Sequence, residues 1–314
     1  MSKTTKKPSK KAPTPLFLDF MESQIQLLNN SGRIGTAINY TKALNSFRNF
    51  LGKRNPTIAS INEYLIDDYN AYLVGRGLVR NSISFYMRIL RAVYNKAVRL
   101  KLTRQRTPFT DVYTGVDQTR KRAVEEDTIV RLHHLKLRST SPLPLARDIF
   151  LFSYFTRGMP FVDIAYLRKS NLQAGSICYI RRKTKQLMSV KIEPCIKRII
   201  DRYSTPESPY LFPIITATTP EVAYQQYRNG LHIYNRALRK LSKMVGCEQH
   251  LTSYTSRHSW ATAARNQNIP LSVISAAMGH TSEQTTRIYL ASLENSVIDD
   301  ANQRLLAHLG QEFF

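Results

Sequence analysis

The sequence predicts a mainly α-helical protein in two parts, with one small β-hairpin or sheet set into the second part. Three observations lead there. Apolar residues recur at helical spacing in successive runs from residue 17 to beyond residue 300. A single stretch, 176–192, instead pairs two β-rich runs around a polar tip. Between two groups of helical runs lies a segment with Pro, Gly and clustered basic residues but no helical period, 107–126.

Residues 1–13 are rich in Lys, Pro and Ser and read as a basic flexible arm that can lie along phosphates by charge alone. Thr14 is expected to cap a first helix with Pro15 at its first position; Phe17, Phe20, Met21, Ile25 and Leu28 form one face that stops at Gly32. A second helix opens near Thr36, carries Ala37, Tyr40, Leu44, Phe47 and Leu51, and stops at Gly52. "SINE" at 60–63 reads as a capping box launching Ile61, Leu65, Tyr69 and Tyr72, and Asn81 as the cap of a fourth helix with Ile83, Met87, Leu90, Tyr94 and Ala97. Residues 14–106 thus make a four-helix domain. Beside the apolar stripe of its fourth helix lie Arg88, Arg91 and Lys96, with Arg80 at the start, a nearly all-positive face suited to phosphate contact. The linker 107–126 adds Arg120, Lys121 and Arg122, charge that suits a strap across DNA.

The second domain, 127–314, stays mostly helical. Helices are expected at about 124–134, 144–166 with an interruption near Gly158, 194–203, 220–245, 255–267, 271–279, 283–290 and 295–309. The hairpin of 176–192 carries "RRKTKQ" at its tip.

Composition narrows the function. Lys plus Arg number 46 against 22 Asp plus Glu, a net charge of +24 in 314 residues, while 42% hydrophobic content is ample for packed cores. A folded protein with such a field, accompanied by 17 Tyr and 13 Phe, points to nucleic acid before a membrane surface. Cys178, Cys195 and Cys247 are scattered without a CxxC pair and read as reduced thiols. With no run of 18 apolar residues and no signal-like segment, the expected location is the cytoplasm, on the nucleoid. Neither a DxD or HxxxH-type cluster nor a GxxxxGK loop is present, and His133 and His134 point to different helix faces; no metal or nucleotide cofactor is expected.

Phosphodiester chemistry without a metal needs a side-chain nucleophile, cations to neutralise the equatorial oxygens, and a proton donor for the leaving oxygen. The second half of the chain supplies each type: Lys183 on the hairpin tip, Arg257 in "YTSRHSWATAARN", His280 at a helix end, and Tyr289 on the next helix.

The order of these residues resembles the tyrosine recombinases, the phage-integrase family. "LTSYTSRHSWATAARN" followed by "ISAAMGHTSEQTTRIYL" looks like the family's HxxR box, its GH and its nucleophilic tyrosine, with steps of 23 residues from Arg257 to His280 and 9 to Tyr289. Lys183 and Thr184 match the family's lysine hairpin, and "RDIFLFSYFTRGMPFVDIAYLRKSNL" resembles its first box. The resemblance implies a SAM-like core-binding domain and a catalytic domain closing as a clamp on double-stranded DNA. It implies a homotetramer acting on two recombination sites, with exchange of the C-terminal helix and a possible host DNA-bending protein. Tyr289 would form a 3′-phosphotyrosyl link without metal or ATP, Lys183 would protonate the 5′-oxygen, Arg257 would bind non-bridging oxygens, and His280 would donate a hydrogen bond or shuttle a proton. Two positions depart from the pattern. Tyr254 stands where the family usually has histidine, and Pro160 where it has the first arginine, leaving Arg157 as the nearest substitute. These departures define the rival expectation, a DNA-binding accessory protein on the same scaffold; a type IB-like topoisomerase is the more distant one.

Overall fold

The computed structural model describes residues 15–117, 123–280, 282–284 and Thr286. The chain divides into two units, Met1–Thr119 and Arg120–Phe314.

In the first unit, helices α1 (Phe17–Asn30), α2 (Ile34–Leu51), α3 (Glu63–Gly75) and α4 (Arg80–Arg99) enclose a core built from their apolar stripes. Phe47 lies at its centre, edge-on to Phe17 at 5.8 Å and to Tyr69 at 4.9 Å. The buried phenol of Tyr69 bonds Ser46 Oγ at 2.7 Å, so the ring enters the core without orphaning its hydroxyl.

The helices are where the apolar period puts them, but their caps differ from expectation. Thr14 lies outside the described residues, and α1 begins only at Phe17 because the preceding chain is extended: Leu16 bridges Thr57, the Phe17 N–H donates to Pro56 O at 2.8 Å, and the Ile58 N–H to Pro15 O at 3.1 Å. Ser60 ends a 3-10 turn (Ile58–Ser60), and Asn62 caps α3 instead, its Oδ1 accepting the Leu65 N–H at 3.0 Å. Val79 precedes α4, while Asn81 grips Asp117 from within the helix, Nδ2 to Asp117 O at 3.1 Å and Asp117 N–H to Oδ1 at 2.8 Å.

That grip belongs to a wider contact. The first half of the segment expected as linker packs on the first unit, with Phe109 and Val112 buried in its core and the Ser84 hydroxyl donating to Gly115 O. Of Arg80, Arg88, Arg91 and Lys96 on α4, two are engaged by it. Arg91 Nη1 donates to Thr114 Oγ1 at 2.8 Å, and the Arg80 guanidinium lies 3.8 Å from the centre of the Tyr113 ring and 3.5 Å from Asp117. Arg88 is exposed, its Nε turned to Ser84 O at 3.4 Å, and Lys96 is half-buried. Arg120, Lys121 and Arg122 lie outside the described residues.

The second unit runs α5 (Glu126–His134), α6 (Leu143–Phe155), α7 (Phe161–Ala165), a sheet, α8 (Pro194–Tyr203), α9 (Pro220–Met244), α10 (Thr255–Asn266) and α11 (Leu271–Met278). Ile149, Phe150, Leu151 and Phe152 are buried in succession, so α6 is covered on every side; α5, α8, α9 and α10 pack against it. The sheet is antiparallel in the order β1 (Leu172–Gln173), β2 (Ser176–Ile180), β3 (Leu187–Lys191). Pairing of Ile177 with Val190 and Tyr179 with Met188 turns these four toward the core. The short β1 was not expected from sequence.

The interruption near Gly158 is a full break between α6 and α7. Arg157 and Gly158 both have positive φ, 61° and 73°, and Pro160 restarts the chain as the residue before α7. Among the described residues no helix is long and apolar enough to cross a membrane. The expected helix 295–309 and most of 283–290, Tyr289 included, lie outside the described residues.

Candidate active site

Arg257 sits in the first turn of α10, and two serines fix that helix against α6. Ser153 Oγ donates to Met159 O at 2.8 Å, so its 2.7 Å contact with Ser256 Oγ takes the Ser256 proton. Both hydroxyls are buried and satisfied, and Arg257 beside them is only 3% exposed. Gly158 makes room for it: a Cβ there would lie 2.8 Å from Arg257 Cα.

The guanidinium is held by backbone oxygens. Nη1 donates to Gly158 O at 2.8 Å and Nη2 to Met278 O at 2.6 Å, the latter at the C-terminus of α11, where unpaired carbonyls carry partial negative charge. Nη2 also meets His280 Nε2 at 2.9 Å. His280 reaches this point because Gly279 ends α11 in the left-handed conformation at φ 63°. Burial, followed by the charges of Arg257, Arg181 and Lys183, pushes the His280 pKa down to about 4. A neutral ring facing an arginine, which can only donate, must accept at Nε2. Its proton is therefore on Nδ1, directed at Thr286 Oγ1 2.7 Å away.

The hairpin closes the third side. Between β2 and β3 a tight turn is locked by Arg181 N–H to Gln186 O and Lys185 N–H to Arg181 O, both 2.8 Å. Gln186 Nε2 donates to His280 O at 3.3 Å, and Thr184 Oγ1 lies 3.4 Å from Gly279 O. These bonds join the hairpin to the α11 turn and place Lys183, exposed at the tip, within electrostatic reach of His280.

The structure thus gathers Arg257, His280 and Lys183 around residues 278–280. Arg157 is turned elsewhere, its Nη1 on Ser189 O of β3 at 3.3 Å. Tyr254, immediately before α10, is 48% exposed and its N–H bonds Thr252 Oγ1 at 3.3 Å. Arg181 was not anticipated. It is 5% exposed, and its Nη1 donates to Gly279 O. The signal for it was the strand alternation itself: Ile177 and Tyr179 face inward, and two residues on comes Arg181.

Comparison with known proteins places the chain. Residues 16–112 match the phage integrase SAM-like domain, and residues 122–296, a stretch that includes Tyr289, match the phage integrase family. Tyrosine recombinase XerC of Rickettsia rickettsii (strain Sheila Smith) is 23% identical over 266 residues, covering 81% of this chain and 85% of that protein, and XerC of Rickettsia canadensis (strain McKiel) gives the same figures. Among solved structures, a lambda integrase dimer bound to a COC′ core site has TM-score 0.65 at 13% identity, covering 88% of this chain and 95% of that one. The Tn1549 transposon integrase with a circular intermediate DNA has TM-score 0.64 at 14% identity, covering 92% and 99%. At such identities the two structures speak to the fold. The family match spans more than half of the chain, and this protein belongs to the phage integrase family of tyrosine recombinases, enzymes that break and rejoin DNA at specific sites.

Proposed function

We propose that Tyr289 is the nucleophile of this recombinase and that the cations gathered around residues 278–280 receive the scissile phosphate. The observation that carries the reading is the buried Arg257 guanidinium paired with a neutral His280 beside the Lys183 hairpin. Tyr289 Oη forms a bond to phosphorus as the bond to the 5′-oxygen breaks; the phenol's proton passes to water, and the departing 5′-oxygen takes one from Lys183, which water then reprotonates. Arg257 neutralises non-bridging oxygen charge that grows in the transition state. His280 orients Arg257 in the free protein and offers Nε2 once the guanidinium turns to phosphate. Arg157 has a catalytic role only if its bond to Ser189 O opens, and Tyr254 offers a hydroxyl where it stands.

The duplex partner is supported by the +24 charge and by the DNA-bound state of the lambda and Tn1549 integrases. A lambda integrase tetramer is bound to a Holliday junction, and four protomers, linked through the C-terminal helix, are proposed here on two sites.

A nicked suicide substrate tests the chemistry. The parent protein should accumulate a covalent 3′-phosphotyrosyl adduct, Tyr289→Phe should form none while binding DNA normally, and chelator should leave the rate unchanged because side chains supply the neutralising charge. Adduct in Tyr289→Phe would remove the nucleophile assignment, and binding without any adduct in the parent would favour an accessory protein.

A further inference from the structure

We infer, given the recombinase chemistry proposed for this site, that Arg181 binds the scissile phosphate as a second guanidinium beside Arg257. The transition state carries developing charge on two non-bridging oxygens, and Arg257, whose Nη1 and Nη2 already hold Gly158 O and Met278 O, is not placed to fork both. Pro160 occupies the first-box position expected to hold the other and has neither a charge nor an N–H to offer.

Arg157, just before Pro160, and Arg181 and Arg182, between β2 and Lys183, are the candidates to replace it, and the structure separates them. Arg157 is bonded to Ser189 O. Arg182 lies over the Tyr166 ring, 3.7 Å from its centre, and contributes only its backbone N–H, donated to Asp163 Oδ1 at 3.0 Å. Arg181 alone is turned into the site. Its Nη1 holds Gly279 O, the carbonyl that follows the Met278 O held by Arg257 Nη2. Two guanidiniums therefore grip successive carbonyls of the turn that presents His280.

Arg181 also has a donor to give. Its Nε is buried without a hydrogen-bond partner, and the nearest carboxylate oxygen, Asp163 Oδ2, is 3.8 Å away, beyond hydrogen-bond range. A charged donor orphaned in the interior is costly, and an anion arriving beside Arg257 satisfies it. Asp163 is the positioning residue in this arrangement. Through the Arg182 N–H it fixes the strand exit, and its second oxygen offsets the charge of Arg181 before DNA arrives.

The full chain is tested on a nicked duplex whose scissile phosphate is either the natural diester or one of two methylphosphonate diastereomers, in which an uncharged methyl replaces one non-bridging oxygen. Parent adduct, lost in Tyr289→Phe, establishes the chemistry; absence of parent adduct removes that chemistry and the Arg181 role with it. On the diester, Arg181→Ala should cleave on the order of a hundredfold more slowly at saturating protein, with site binding weakened by no more than one phosphate contact. One diastereomer should restore most of that loss, and the opposite one should restore Arg257→Ala. A merely structural defect is not relieved by a neutral phosphate. Where Arg181→Ala fails to fold, Arg181→Met, which keeps a long unbranched side chain and loses the charge, is read the same way. Diester cleavage at the parent rate by a folded variant, a deficit that neither diastereomer relieves, or relief of Arg157→Ala instead would overturn the assignment.

Discussion

His280 is held neutral by two effects of the same sign, burial and surrounding positive charge, and this makes its ionisation a stability term. The folded pKa, about 4, lies below the ordinary value of 6.5. Between those values the unfolded chain binds a proton that the folded chain does not, so this contribution is complete above about pH 6.5 and declines as pH falls toward 4. His280→Gln removes it. Without DNA, the drop in unfolding midpoint between about pH 7 and about pH 4.5 should be larger in the parent than in the variant. Equal drops would mean that the ring is not held neutral. The same residues show how far the sequence could be read: order and spacing singled out Arg257, His280 and Lys183, and the fold brings these three around residues 278–280. Arg181 was hidden by its neighbours in "RRKTKQ". Consecutive basic residues look alike on paper, and only strand alternation, which buries Arg181 and exposes Arg182, distinguishes them.

At the scale of elements, the site depends on two turns with left-handed glycines, and they differ in what surrounds them. A Cβ on Gly279 would meet Met188 Sδ at 2.8 Å and Arg181 Cδ at 3.1 Å, side-chain atoms that can shift. On Gly158 it would meet the Cα of Arg257, which moves only with α10. Gly279→Ala should therefore cost about 1–2 kcal/mol, mostly backbone strain, and Gly158→Ala about 3 kcal/mol or more together with most of the cleavage rate. Thermal unfolding and single-turnover cleavage of both variants check the ranking, and a milder effect at Gly158 would refute it. The α4 face gives another ordered pair. Arg88 is exposed while Arg91 is bonded to Thr114, so Arg88→Ala should flatten the salt dependence of DNA binding by about one phosphate equivalent and Arg91→Ala by less. Equal slopes would show that the bond to Thr114 opens on DNA. Sequence placed these helices well because each buries a continuous stripe. It placed their caps poorly because Ser60, Asn62 and Asn81 all suit a cap by type, and the choice among them was made by Pro56, Thr57 and Asp117 in distant pairings.

At the scale of the molecule, two large cores among the described residues share no residue, one around Phe47 and Tyr69 and the other around Phe150 and Phe152, while Ala261, Ala264, Ile274 and Met278 form a smaller cluster between α10 and α11. That division was legible in the sequence as two groups of apolar runs. The extent of the first unit was not, because Phe109 and Val112 stand alone among turn-forming residues, without a period that would mark them as core. Separate cores predict separable effects of core damage. Tyr69 is fully buried, packs edge-on against Phe47 and donates to Ser46, so Tyr69→Ala opens a cavity, strands a hydroxyl and should cost about 3–5 kcal/mol in the first unit. None of those contacts involves the second unit, where Arg257, His280 and Lys183 are brought together. Calorimetry of the full chain should show the transition of the first unit lowered and that of the second unmoved. Cleavage by the variant below that lowered transition should keep the parent rate at saturating protein. A joint shift of both transitions would mean that the two cores unfold as one and that the chemistry depends on the integrity of the first.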